Sequence, residues 1–178
     1  MEALTGRLLI ANGNLFDPNF RQTVLLVVEH GHEGALGIVL NRPAEVSVAE
    51  AIPALASVVG PGDLLYIGGP VQPTAAIALA EFVEGADPAE RLFGSIGLIT
   101  GEIESLGPTT RARVFAGYAG WGAGQLEREM EENSWIVAAP TAEDVFTDGP
   151  ETLWAQVLMR KGGEYKLLAR MPIDPSMN

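Results

Sequence analysis

The sequence contains no cysteine, which removes disulfides, thiol nucleophiles, thiol redox chemistry and thiolate-bound metals together. Of its 11 basic residues only Lys161 and Lys166 are lysines, and the arginines are scattered singly or in pairs such as Arg111/Arg113. Against 23 acidic residues this leaves a net charge of −12 and a pI near 4.5. A basic stripe that could track phosphates and release counterions is therefore missing, and direct contact with nucleic acid is not expected. Histidine occurs twice, at positions 30 and 32, so a metal site would lack the three or four converging ligands it needs, and neither metal nor cofactor is expected. Long apolar runs are also lacking. Val24–Val28 and Ala75–Ala80 fall far short of a membrane span. The opening Met1–Arg7 puts an acid where a secretory signal needs positive charge, so the chain reads as cytoplasmic.

What is present suits one domain. The chain has 178 residues, 47% of them hydrophobic, enough for a full core without a second one. We read residues 1–178 as a single domain ending in a loose tail at 172–178. The 21 glycines and 12 prolines predict many turns.

Strands are expected at Arg7–Ala11, Thr23–Glu29 and Ala35–Leu40, the last two forming an antiparallel hairpin around His30–Gly34. Their apolar residues are nearly continuous, which predicts that both faces are covered. Further strands are expected at Asp63–Ile67, Ser95–Ile99, Arg111–Ala116 and Trp135–Ala139, with another buried element at Thr74–Ala80 and a polar loop over 81–92. Ser47-Val-Ala-Glu50 has the capping-box pattern and predicts a helix carrying Val48, Ile52, Leu55 and Val59, although Pro53 must kink or shorten it. A second helix start lies at Thr141, and Pro150 opens a helix whose stripe is Leu153, Trp154, Val157 and Leu158 and whose end is Gly162-Gly163.

The most unusual stretch is Phe115-Ala-Gly-Tyr-Ala-Gly-Trp-Gly-Ala-Gly-Gln-Leu-Glu127. Glycines at 117, 120, 122 and 124 between a strand pattern and a short helix predict a loop exposing N–H groups beside Tyr118, Trp121 and Gln125. Phosphate binding there is disfavoured against close packing of the loop on a neighbouring strand. The spacing matches no nucleotide-binding motif, and Glu127 and Glu129 in the helix's first turn repel anions. Other interruptions of the buried runs supply the remaining candidates: Asp17 and Asn19 in a turn, Glu29 and His30 at the hairpin tip, Asn41 and Arg42 after the second strand, and Gly68 and Gly69, where close packing competes with ligand approach.

Taken with Asp17-Pro-Asn-Phe20, Glu29-His30, Gly34-Ala-Leu-Gly-Ile-Val-Leu-Asn-Arg-Pro43 and Gly68-Gly-Pro-Val71, the glycine-rich stretch makes the chain resemble the AlgH/YqgE family of bacterial proteins from Gly6 to about Leu158. It departs from the family's pattern at Gly13, where proline is usual, and at Gln22, where arginine usually precedes the Thr-Val pair. The resemblance implies an α+β fold, with a mixed β-sheet strongly curled toward a barrel and helices packed outside. It implies no agreed activity and no catalytic residues. Some members carry the label of transcriptional regulator, through a link to alginate synthesis.

The expectation is a cytoplasmic binding or regulatory protein without catalysis. It would act through a protein or small-molecule ligand rather than through DNA, at a pocket of Asp17, Asn19, Glu29, His30, Asn41, Arg42, Gly68, Gly69, Trp121 and Gln125. The rival is an enzyme with Glu29 or His30 as general base and the glycine-loop amides as anion stabilisers. Oligomeric state is not legible.

Overall fold

Alternate residues of three adjacent strands enter two different cores, and this arrangement places everything else. The computed structural model describes residues 2–13, 20–85, 90–99 and 109–170. Strands β1 (Leu8–Ala11), β2 (Val24–Gly31) and β3 (Gly34–Val39) lie side by side, and β10 (Trp135–Ala138) pairs antiparallel with β1. Leu8, Ile10, Leu26 and Ile38 point into one cluster, and Leu9, Ala11, Leu25, Val27 and Val39 into the other. The first is closed by helix α4 (Leu153–Lys161) through Leu153, Trp154, Val157 and Leu158; the second is closed by α2 (Gln125–Glu131) through Leu126. Because both faces are covered, the strands need apolar residues at every position rather than an alternation. The Trp154 indole also donates to the Ala11 carbonyl at 2.8 Å, fixing α4 to β1.

The glycine-rich stretch is mostly not a loop. Phe115–Gly122 is the second half of β9 (Thr109–Gly122), the longest of the strands, and only Ala123-Gly124 forms a turn, leading into α2. Its end, Gly34↔Gly122 to Gly37↔Ala119, pairs with β3, and its first part pairs with β6 (Val71–Phe82) from Ala76↔Ala116 to Phe82↔Thr109. A second sheet region continues from β6 to β8 (Ile96–Leu98) and β7 (Glu90–Phe93), so the polar stretch read as a loop holds a strand. On the other edge of β9 lies β5 (Leu64–Ile67) in the one parallel pairing of the described residues, with β4 (Pro43–Ser47) outside it.

The strand order β10-β1-β2-β3-β9-β6-β8-β7 is an open path. The expected barrel-like curl is therefore wrong. No pairing joins β10 to β7 among the described residues, and the sheet is mostly antiparallel, in an α+β fold. The reason is β9, which carries partners of both halves along one strand instead of returning the last strand to the first.

The helices are short. The predicted capping box gives only α1 (Val48–Ala51), with Ser47 Oγ accepting from the Glu50 N–H at 3.2 Å, followed by a 3-10 turn at Pro53–Leu55. Proline at 53 lacks the N–H an α-helix would use there, and the helix stops. Helix α3 (Ala142–Val145) carries a complete Thr141/Asp144 capping box. Helix α4 begins three residues after Pro150, and α5 (Tyr165–Leu168) follows the Gly162 stop.

Candidate functional site

Of the ten residues marked by the sequence, Asp17 and Asn19 lie outside the described residues, and the other eight fall into three places. At the first place, the tip of the β2–β3 hairpin, His30, Ala35 and Trp121 form one cross-strand row through the pairs His30↔Ala35 and Ala35↔Trp121. Residues paired in this way point to the same face, here the face under α2. Gln125 opens that helix, so His30, Trp121 and Gln125 are neighbours. Glu29 precedes His30 on the strand and is exposed on the other side, beside a hollow of about 580 Å³ that also includes His32 and Glu33.

The His30 side chain is only 4% exposed and both ring nitrogens are engaged. Nδ1 accepts from the Leu4 N–H at 2.9 Å, so in the neutral ring the proton sits on Nε2, which donates to the Glu127 carboxylate. This hydrogen bond is also what holds the Glu127 carboxyl below the ordinary glutamate value. Three segments thus meet at one imidazole: the strap before β1, the hairpin tip and α2. A hollow of about 570 Å³ opens there, lined by Ala3, His30, Gly31, His32, Gly124 and Glu127.

Beneath α2 a second carboxylate organises the aromatic core. Glu129 Oε1 accepts from the indole N–H of Trp121 at 3.1 Å and of Trp135 at 2.9 Å, while Oε2 accepts from Gln125 Nε2 at 2.9 Å. Gln125 Oε1 in turn accepts the Gly122 N–H at 3.0 Å. The two indoles meet edge to face at 6.0 Å between centroids. Trp121 is buried at 7% exposure and Trp135 at 4%, and their polar edges need this acceptor. Trp121 and Gln125, marked as ligand residues by the sequence, here hold α2 onto the sheet.

The second place is the opposite end of β3. Asn41 Oδ1 accepts the Val24 N–H at 3.1 Å, its Nδ2 donates to the Gln22 carbonyl at 3.0 Å, and Arg42 Nη2 donates to the Arg21 carbonyl at 2.8 Å. From Ala35 to Asn41 the chain advances roughly 20 Å at the usual strand rise. Asn41 and Arg42 are therefore remote from His30. The third place is the junction of β3, β5 and β9. A Cβ on Gly68 would lie 2.3 Å from the Gly117 carbonyl oxygen, and one on Gly69 would lie 2.1 Å from the Tyr118 carbonyl carbon. These glycines let two backbones touch, with the Gly68 N–H donating to the Ala116 carbonyl at 2.8 Å and its carbonyl accepting from the Val39 N–H at 2.8 Å.

Chemically, the tip can hold a proton at His30 Nε2 and present the Glu127 carboxylate and the exposed imidazole of His32 to a ligand. A base at His30 would need a ring lone pair, and the one at Nδ1 already receives the Leu4 N–H. Glu127 and Glu129, expected from the sequence only to repel anions, are the carboxylates that organise the site. Among the described residues, no group of three or more His, Asp or Glu side chains converges on a metal position. No helix among them is long and apolar enough to cross a membrane.

A family model described as AlgH-like matches residues 8–166. A UPF0301 protein of Mycobacteroides abscessus is 43% identical over 97% of this chain and 87% of its own length, and one of Streptomyces coelicolor is 42% identical over 100% and 97%. Among solved structures, protein DIP2367 from Corynebacterium diphtheriae superposes with a TM-score of 0.86 at 28% identity, covering 95% of this chain and 93% of that one. The AlgH protein from Pseudomonas aeruginosa gives 0.71 at 31% identity, covering 96% and 95%.

Proposed function

Because the chain belongs to the AlgH-like family, whose relatives named above carry no reaction in their names, we propose from its own geometry that it is a non-catalytic cytoplasmic binding protein. Its ligand is a small molecule, or the basic group of a protein partner, bearing an ammonium or guanidinium. The observation that carries this reading is the hollow of about 570 Å³ whose wall is the His30–Glu127 pair. A carboxylate kept ionised by its neighbour, at the mouth of an open hollow on a chain of net charge −12, favours a cation and disfavours an anion such as a phosphate backbone. Regulation by such a protein would run through the bound partner rather than through DNA.

Thermal unfolding across a panel of amines, guanidino compounds and short basic peptides tests this. A ligand selective for the folded state raises the melting temperature, by the equivalent of about 2.7 kcal/mol at a hundredfold excess over Kd. Glu127→Gln still accepts the His30 N–H, so it leaves the free protein folded, and it is expected to abolish the shift. A panel without any shift, or shifts that persist in Glu127→Gln, would reject the reading.

A further inference from the structure

The terminal strand β10 offers a second surface, separate from the hairpin tip. Its only strand partner among the described residues is β1, with the register Leu8↔Ala138 to Ala11↔Trp135. The Asn12 N–H donates to the Ser134 carbonyl at 2.9 Å, which fixes the alternation: Ile136 and Ala138 turn their backbone groups to β1, and Trp135, Val137 and Ala139 turn theirs outward. The outward carbonyls are met by side chains from the end of α4. Lys161 Nζ donates to the Val137 carbonyl at 2.8 Å, and Arg160 Nη2 to the Ala139 carbonyl at 3.3 Å. Beside this edge runs a hollow of about 630 Å³ whose walls include Trp135, Val137, Lys161, Glu164, Tyr165 and Leu168. Leu167, next to it in sequence, is 73% exposed.

The charge here is opposite to that of the rest of the molecule. Residues 160–170 hold Arg160, Lys161, Lys166 and Arg170, which include both lysines of the chain, against Glu164 as the one acid. Arg160 is held by Asp144 through contacts of 3.0 and 2.8 Å, whereas Lys161 rests on a carbonyl and lies 5.3 Å from the centre of the Tyr165 ring. A lysine on an outer carbonyl is a removable cover for a strand edge.

We propose that β10 receives an extended, acidic segment of a partner protein as an additional strand. The segment's backbone pairs with the outward groups of Trp135 and Val137, and Lys161 leaves the Val137 carbonyl for an acidic side chain of the newcomer. Its apolar residues, alternating with the acidic ones, lie against Tyr165 and Leu168. A second copy of this chain is a poor occupant, because pairing two β10 edges sets Arg160 and Lys161 of one copy against the same residues of the other.

The test is selection of a displayed random heptapeptide library on the full-length protein. It is followed by affinity measurement of the winners as synthetic peptides and by amide exchange. Selected peptides are expected to alternate apolar and acidic residues and to slow exchange at the Trp135 and Val137 amides. They should lose affinity at least about tenfold on Lys161→Glu and fall steeply with salt. Lys161 is exposed, so an unchanged melting temperature certifies that the variant folds, and Lys161→Gln serves as the milder replacement if it does not. Four results would each overturn the proposal: no enrichment, winners without acidic residues, affinities within twofold on Lys161→Glu, or protection confined to other amides. Protection of Trp135 and Val137 that rises with protein concentration and without peptide would also overturn it, in favour of paired copies.

Discussion

Replacing Glu129 by leucine tests whether one carboxylate holds α2 to the sheet. The change leaves two buried indole N–H groups without their acceptor and releases Gln125 Nε2. Each stranded buried donor costs about 1–3 kcal/mol, so the sum is about 3–5 kcal/mol once the added apolar contact of leucine is allowed for. That is a large share of the roughly 5–15 kcal/mol that stabilises a domain of this size. Glu129→Gln separates the components. Its oxygen can still accept from both indoles, but its amide nitrogen then faces Gln125 Nε2, and Gln125 cannot turn over without losing the Gly122 N–H. A cost of about 1–2 kcal/mol follows. Urea unfolding should be followed by far-UV circular dichroism, since the tryptophan emission changes with the substitution itself. The order wild type, Gln, Leu is expected, with equal urea slopes. A leucine variant within about 0.5 kcal/mol of wild type, or a glutamine variant no better than leucine, would refute the role given to Glu129.

Three further outcomes are expected. Arg111 bonds Glu81 at 3.0 Å and Glu143 at 2.6 Å, and these contacts lower both carboxyls from 4.5, the Glu81 one despite some opposing desolvation. Carboxyls with depressed folded values contribute stability above their unfolded value and lose it as pH falls through the folded one, so Arg111→Met should flatten the loss of melting temperature below about pH 4.5; an unchanged acid limb contradicts this. Gly117 has φ +74°, and a Cβ there would lie 2.4 Å from the Gly69 carbonyl oxygen, whereas Gly62, at φ +83°, has nothing within 4 Å. Gly62→Ala should cost only about 1–2 kcal/mol of backbone strain and Gly117→Ala distinctly more, and equal melting temperatures would show that the clash is relieved elsewhere. His30→Phe removes the acceptor for the Leu4 N–H and should speed exchange of that amide while leaving Gly6, which bonds the Val27 carbonyl, unchanged; equal exchange at Leu4 would deny the latch.

The elements legible in the sequence were those set by local pattern. The apolar runs of β1, β2, β3 and β10 need no distant information, because being covered on both faces makes every position hydrophobic. The α4 stripe and its Gly162 stop are equally local. The glycine-rich half of β9 misled for a nonlocal reason: Gly117 leaves room for a backbone at Gly69, 48 positions earlier, so the glycines signal close approach and not a loop. The open sheet was likewise invisible, since family resemblance supplied the curl and no residue pattern reports which strands fail to pair. In the site, His30 was marked but its carboxylate partner was not, because His30 and Glu127 are 97 positions apart; Glu129 lies only 8 positions from Trp121, but an acid on a helix carries no local sign of the indole it will meet.

Strand length also separates the candidate residues. The two ends of the β2–β3 hairpin lie a strand length apart, so Asn41 and Arg42 stay about six residues along the chain from the row of His30. Of the glycine amides beside the candidate residues, the Gly122 N–H belongs to Gln125, and the Gly68 N–H lies at the junction of β5 and β9, bonded to Ala116. His30, Asn41, Arg42 and Gln125 therefore act locally, each fastening one crossing of the chain. What they leave open is surface at two margins: a hollow bearing the Glu127 carboxylate where α2 meets the hairpin tip, and an edge bearing Lys161 where α4 meets β10. Opposite charge at separate margins of one sheet suits the two different ligands proposed for them. It follows that Glu127→Gln and Lys161→Glu should affect separate ligands and leave each other's binding intact.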